Sequence, residues 1–149
     1  MSVDYRLTLA PGTPINQIAE RALPEPGERP TGLPPLLSAN LYEKYGFGIS
    51  IRAGQNGYVD AESDHGLWEW EPAEYVAVAF QMDKFADPGW KVINMLTIAR
   101  RVLMTGPEDA ALVLNGDVLI FTRFGGELVK HNHDKWWANY PGADDLIPG

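Results

Sequence analysis

Six acidic residues fall between Tyr58 and Glu74 with no lysine or arginine among them: Asp60, Glu62, Asp64, Glu69, Glu71 and Glu74. Trp68 and Trp70 are threaded through the same stretch. On a strand, Asp60, Glu62 and Asp64 share one face, because successive side chains alternate. Like charges so placed repel one another. Three chemistries suit such a cluster. It can be a solvated sheet face with the tryptophans turned into the core. It can be a docking surface, with carboxylates as an electrostatic rim and an indole as the anchor. It can also hold a sugar against an indole, with two carboxylates as acid and base. A glycosidase, however, needs its carboxylates on opposite walls of a cleft, and these lie on one short hairpin. The docking reading assigns Asp60, Glu62, Asp64, Trp68, Glu69, Trp70 and Glu71 to partner binding.

A second group with chemical potential is His131 and His133, followed by Asp134. Two residues apart on a strand, the imidazoles would share a face and, with a carboxylate, suit zinc or ferrous iron. Asp64-His65 offers further ligands. Spacing fixes no third ligand, and the pair lies where the strand pattern fails, so the expectation is no metal, with His131 and His133 as the alternative. No catalytic residue is assigned. The chain has no Gly-rich phosphate loop, no G-x-S-x-G and no H-E-x-x-H. None of Ser38, Ser50 or Ser63 sits in a nucleophile turn.

Composition narrows the classes further. The 149 residues include no cysteine, which excludes disulfides, thiolate metal sites and a cysteine nucleophile. Hydrophobic residues make up 45% and charged residues 21%, a globular balance. Twenty acids against 12 bases give a net charge of −8, a field that repels nucleic acid and anionic membranes and attracts cationic partners. The start, MSVDYRLTLAPG, lacks the basic and apolar regions of a signal peptide, and no apolar run is long enough to span a bilayer. A cytoplasmic protein is expected, with no cofactor.

The elements that must position these residues follow from periodicity. Val3–Leu9 alternates as a strand. Thr13 is expected to cap a helix with Pro14 at its first position and with Ile15, Ile18, Ala19, Ala22 and Leu23 on one face. Residues 24–35, with five prolines, read as a stiff loop. Ser38 is placed before a short helix ending at Gly46. Phe47–Ile51 and Tyr58–Asp64 read as a hairpin across Gly54–Gly57, and Tyr75–Met82 as the next strand. Asp87-Pro88 opens a long helix with an apolar face of Val92, Ile93, Leu96, Ala99, Val102 and Leu103. Ala110–Leu114, Asp117–Thr122 and Glu127–His131 form a meander through Asn115-Gly116 and Gly125-Gly126. Trp136 and Trp137 pin an irregular tail, 134–149. The expected fold is α+β: a single domain, 1–149, with two main helices on one face of a mainly antiparallel sheet of about six or seven strands.

Landmarks across the chain carry a resemblance. They are Val3-Asp4-Tyr5-Arg6-Leu7-Thr8-Leu9, Gly57–Asp64, Trp68-Glu69-Trp70-Glu71-Pro72, Met82-Asp83-Lys84-Phe85, Leu112–Asp117, and the tail from Trp136-Trp137 to Tyr140-Pro141-Gly142. In this order the chain resembles the immunity proteins of swarm-inhibition toxins, a bacterial polymorphic-toxin system. The resemblance implies a small cytosolic protein that binds and neutralises a cognate protein toxin, without cofactor or catalysis. It assigns no individual contact residues. The charge of −8 adds the expectation of a cationic, nuclease-like toxin. The competing function is a small hydrolase or metal-dependent enzyme built on the carboxylates or on His131 and His133. A monomer or weak homodimer is expected, the latter through an open sheet edge.

Overall fold

The computed structural model describes residues 3–149. Alternation builds the middle of its sheet. Strand β1 (Val3–Ala10) buries Tyr5, Leu7 and Leu9 on one side and turns Asp4, Arg6 and Thr8 to the other. It lies between β7 (Glu74–Met82) and β8 (Asp109–Leu114), both antiparallel, with Leu7 opposite Val78 and Leu112. On the far side of β7 comes β4 (Phe47–Gln55), which places Ile51 beside Val78. Then follow β3 (Leu36–Leu41) and the short edge strand β2 (Thr31–Leu33).

At the opposite end β9 (Val118–Phe124) pairs with β8. The Asn115-Gly116 turn between them has φ of 53° and 67°, the paired left-handed conformation that this dipeptide favours. A register shift after Leu112 adds one residue to β9, so Ile120 and Phe121 both point into the core. The other edge of β9 is shared. Its later residues pair with β10 (Glu127–Lys130), and its start pairs in parallel with β5 (Val59–Ser63) through Glu62 and Val118. Strand β6 (Gly66–Trp70) completes that end.

The inner face is covered by α1 (Ile15–Ala22), α3 (Pro88–Met104) and α4 (Pro141–Leu146), whose buried residues join one core with those of β1, β4, β7 and β8. A one-turn α2 (Tyr42–Tyr45) precedes Gly46, which has φ 90°. Asp87 caps α3 through Trp90 N–H at 2.9 Å. The polar stripe on α3 ties down its neighbours: Lys91 donates to the Asp83 carbonyl, Asn94 to Tyr45 and Arg101 to Ala22.

The expected fold class is therefore corrected. Among the described residues the structure is a ten-stranded mixed sheet with four α-helices, not six or seven strands with two main helices. The extra strands lie where the sequence pattern is weakest. Part of the Pro-rich loop forms β2, and Ser38 sits in β3 and caps nothing. Trp68 to Trp70 form most of β6, and α4 occupies the tail read as irregular. The parallel contact arises because β5 does not stay beside β4. Asn56 and Gly57 donate to the carbonyls of Ala73 and Pro72, closing the neck of an excursion from the β4–β7 hairpin. The excursion crosses to β9. Thr13 does not cap α1; its hydroxyl donates to Glu108 at 2.7 Å.

Candidate functional site: an acidic hairpin clamped to the sheet

The β5–β6 hairpin has two unlike faces, set by the cross-strand register. Asp60 stands opposite Glu69, and Glu62 opposite Leu67; all four are exposed. Val59 pairs with Trp70 and Ala61 with Trp68 on the other face. There the half-buried indoles sit on Phe124, at ring-centre distances of 6.2 Å for Trp68 and 5.1 Å for Trp70. Ala61, Ala111, Val113 and Leu119 make a small second core beneath them. Of the residues assigned to partner binding, Asp60, Glu62, Asp64, Glu69 and Glu71 lie exposed. Trp68 and Trp70 hold the hairpin from below.

Asp64 departs from its neighbours because the strand ends at Ser63. Its carboxylate accepts from the backbone N–H of Asn132 at 2.9 Å. Asn132, left-handed at φ 57° and buried, donates its side-chain amide to the carbonyls of Glu62 (2.9 Å) and Leu119 (2.8 Å). Glu62 N–H also donates to the Asp117 carbonyl at 2.7 Å. Asp64 and Asn132 thus clamp the hairpin tip to β9. Sequence periodicity misses Asn132, whose only signal is that the strand pattern fails at His-Asn-His.

The histidines go separate ways. Because Asn132 is left-handed, His131 and His133 do not share a face. The buried His131 Nδ1 accepts from Asp64 N–H at 3.3 Å, and the exposed His133 lies 3.4 Å from Asp144. No group of three or more His, Asp or Glu residues placed to hold a metal occurs among the described residues. Burial pushes the His131 imidazole below its ordinary value, opposed by the Asp64 carboxylate. An acceptor Nδ1 agrees with the neutral ring. The unfolded chain then binds this proton more readily than the fold does, so stability is lost as pH falls below about 6.5, the ordinary histidine value. Denaturant titrations at pH 7.5 and 5.5 are expected to show a smaller acid loss for His131→Gln than for the native chain.

Exposed apolar side chains accompany the acids. Leu67 is 63% and Tyr58 55% exposed. The Tyr58 hydroxyl donates to Glu69 at 2.7 Å, and this bond pushes its pKa up to about 12. At the neck, a Cβ on Gly57 would fall 2.8 Å from the Tyr75 ring, so any larger residue would force that ring to shift.

With this geometry in view, a protein-family model described as SitI3-like matches residues 3–141, and the chain belongs to that family. Membership agrees with the resemblance to swarm-inhibition-toxin immunity proteins and points to an immunity-type protein whose partner is a cognate toxin. No curated protein and no solved structure matches the chain. No helix among the described residues is long and apolar enough to cross a membrane.

Proposed function

We propose that this chain neutralises a cationic toxin by binding it, without catalysis, through the exposed face of the β5–β6 hairpin. The observation that carries the reading is the register of Asp60 against Glu69. Directly opposed like charges weaken a sheet. Here they stand exposed beside Glu62 and Glu71, and none of the four makes an ion pair among the described residues. Such a face suits fast capture of a basic surface. Leu67 and Tyr58 supply its apolar contacts. A nuclease fits as the toxin class, because its substrate groove must be positively charged.

The test is the Glu62→Lys/Glu69→Lys variant, mixed with the cognate toxin domain. Both side chains are exposed, so the fold is expected to persist. The association rate at low salt is expected to fall about tenfold or more, with a smaller change in dissociation. An unchanged association rate would refute the proposed surface.

A further inference from the structure

Strand β6 closes the strand order at its end of the sheet, with β5 as its ladder partner. Its other edge is open. The two-residue turn Asp64-His65 sets Ser63 against Gly66, and the ladder bonds of an antiparallel hairpin alternate from there. Glu62 N–H donates to the Asp117 carbonyl on the β9 side, so it is not given to β6. Leu67, opposite Glu62, and Glu69, opposite Asp60, therefore turn their N–H and C=O groups outward. Among the described residues no turn or loop backbone hydrogen-bonds to that edge.

Open edges invite pairing with a further chain, and proteins blunt them with prolines, lysines, bulges or very short strands. The opposite edge of the sheet is blunted in this way: β2 is three residues long and lies between Pro30 and Pro34. Strand β6 has neither proline nor lysine, and its register with β5 runs unbroken over five residue pairs. What it carries is charge. Glu69 lies within the strand and Glu71 follows it, both exposed, beside Asp60. A second copy paired along the same edge would gather these carboxylates on one face, which is unfavourable. A basic strand would neutralise them.

We infer that the open edge of β6 adds an extended, basic strand of the toxin to the sheet, antiparallel to β6. In such strand addition, main-chain hydrogen bonds give the affinity and alternate side chains the specificity. Lysines or arginines of the added strand stand beside Glu69 and Glu71 on the carboxylate face, and the residues between them fall beside the half-buried Trp68 and Trp70. The inference rests on the proposed capture of a cationic toxin by this hairpin and adds how the captured segment is held.

The probe is the capped heptapeptide Thr-Lys-Val-Lys-Val-Lys-Thr, titrated at low salt into the isotope-labelled full chain. Two variants keep its charge, one N-methylated at the lysine amides and the other at the valine amides. The parent peptide is expected to slow amide hydrogen exchange at Leu67 and Glu69. Lysine N-methylation removes the N–H groups that face β6, and is expected to weaken binding about tenfold or more and to abolish that protection. Valine N-methylation alters groups that point away from β6 and is expected to leave both nearly unchanged. If the parent binds without protecting Leu67 and Glu69, or if the two methylated peptides bind alike, strand addition is wrong. Chemical-shift changes at Glu62 and Glu69 would then show that capture by charge on the hairpin face stands without it. If no peptide moves any hairpin amide, both readings fall. If Leu67 and Glu69 of the free chain become protected as its concentration rises, a second copy fills the edge and the inference fails.

Discussion

Replacing Glu108 by alanine is expected to destabilise the fold by about 3–5 kcal/mol, the cost of stranding one half of a buried ion pair. Glu108 is 5% exposed and receives both terminal nitrogens of Arg21 at 2.7 Å, together with the Thr13 hydroxyl. Arg21 also donates to Thr105 and to the Val102 carbonyl. The cluster therefore joins the start and end of α1 to the last turn of α3. The Arg21 guanidinium, opposed by burial, holds the Glu108 carboxyl down at about 2. Its folded value lies below the ordinary 4.5, so its contribution is complete above about 4.5 and fades as pH falls towards 2. Urea midpoints should show the gap between native chain and variant narrowing over that acid range. A gap that stays constant from neutral pH to pH 2 would show that the ionised pair is not its source.

Trp137→Ala is expected to cost a comparable amount, about 3–5 kcal/mol. The side chain is fully buried and packs edge-on against Trp136, with ring centres 4.9 Å apart. Lys130 Nζ sits 4.7 Å from its ring centre. Its indole N–H donates to the Ile120 carbonyl at 3.0 Å, at the extra residue of the β9 bulge. The same carbonyl accepts from His131 N–H. Removing the indole opens a cavity beside the segment that carries Asn132, so the hairpin clamp should loosen with the core. Thermal melts measure the first effect, and amide exchange at Glu62 and Asp64 measures the second. A variant that melts with the native chain would contradict the packing described.

Local chemistry was legible wherever one short stretch settles its own conformation. The stripe Ile15, Ile18, Ala19 and Ala22 is buried. Asp87 caps α3, and Asn115-Gly116 turns a hairpin. Strand partners were not legible, because period-two alternation identifies a strand but not its neighbour. Alternation and the Gly54–Gly57 turn pair Tyr58–Asp64 with Phe47–Ile51, yet β4 pairs with β7, and β5 reaches β9. The parity of Asp60 and Glu62 could be read from alternation. Asp64 could not, because it belongs to the turn and is held by Asn132, 68 residues away.

If a cationic toxin is drawn to the carboxylates on the outer face of the hairpin, the association rate of chain and toxin must respond to ionic strength. A steep fall with added salt is expected for the native chain and a much flatter dependence for Glu62→Lys/Glu69→Lys. Equal slopes for the two proteins would show that the attraction lies elsewhere on the molecule.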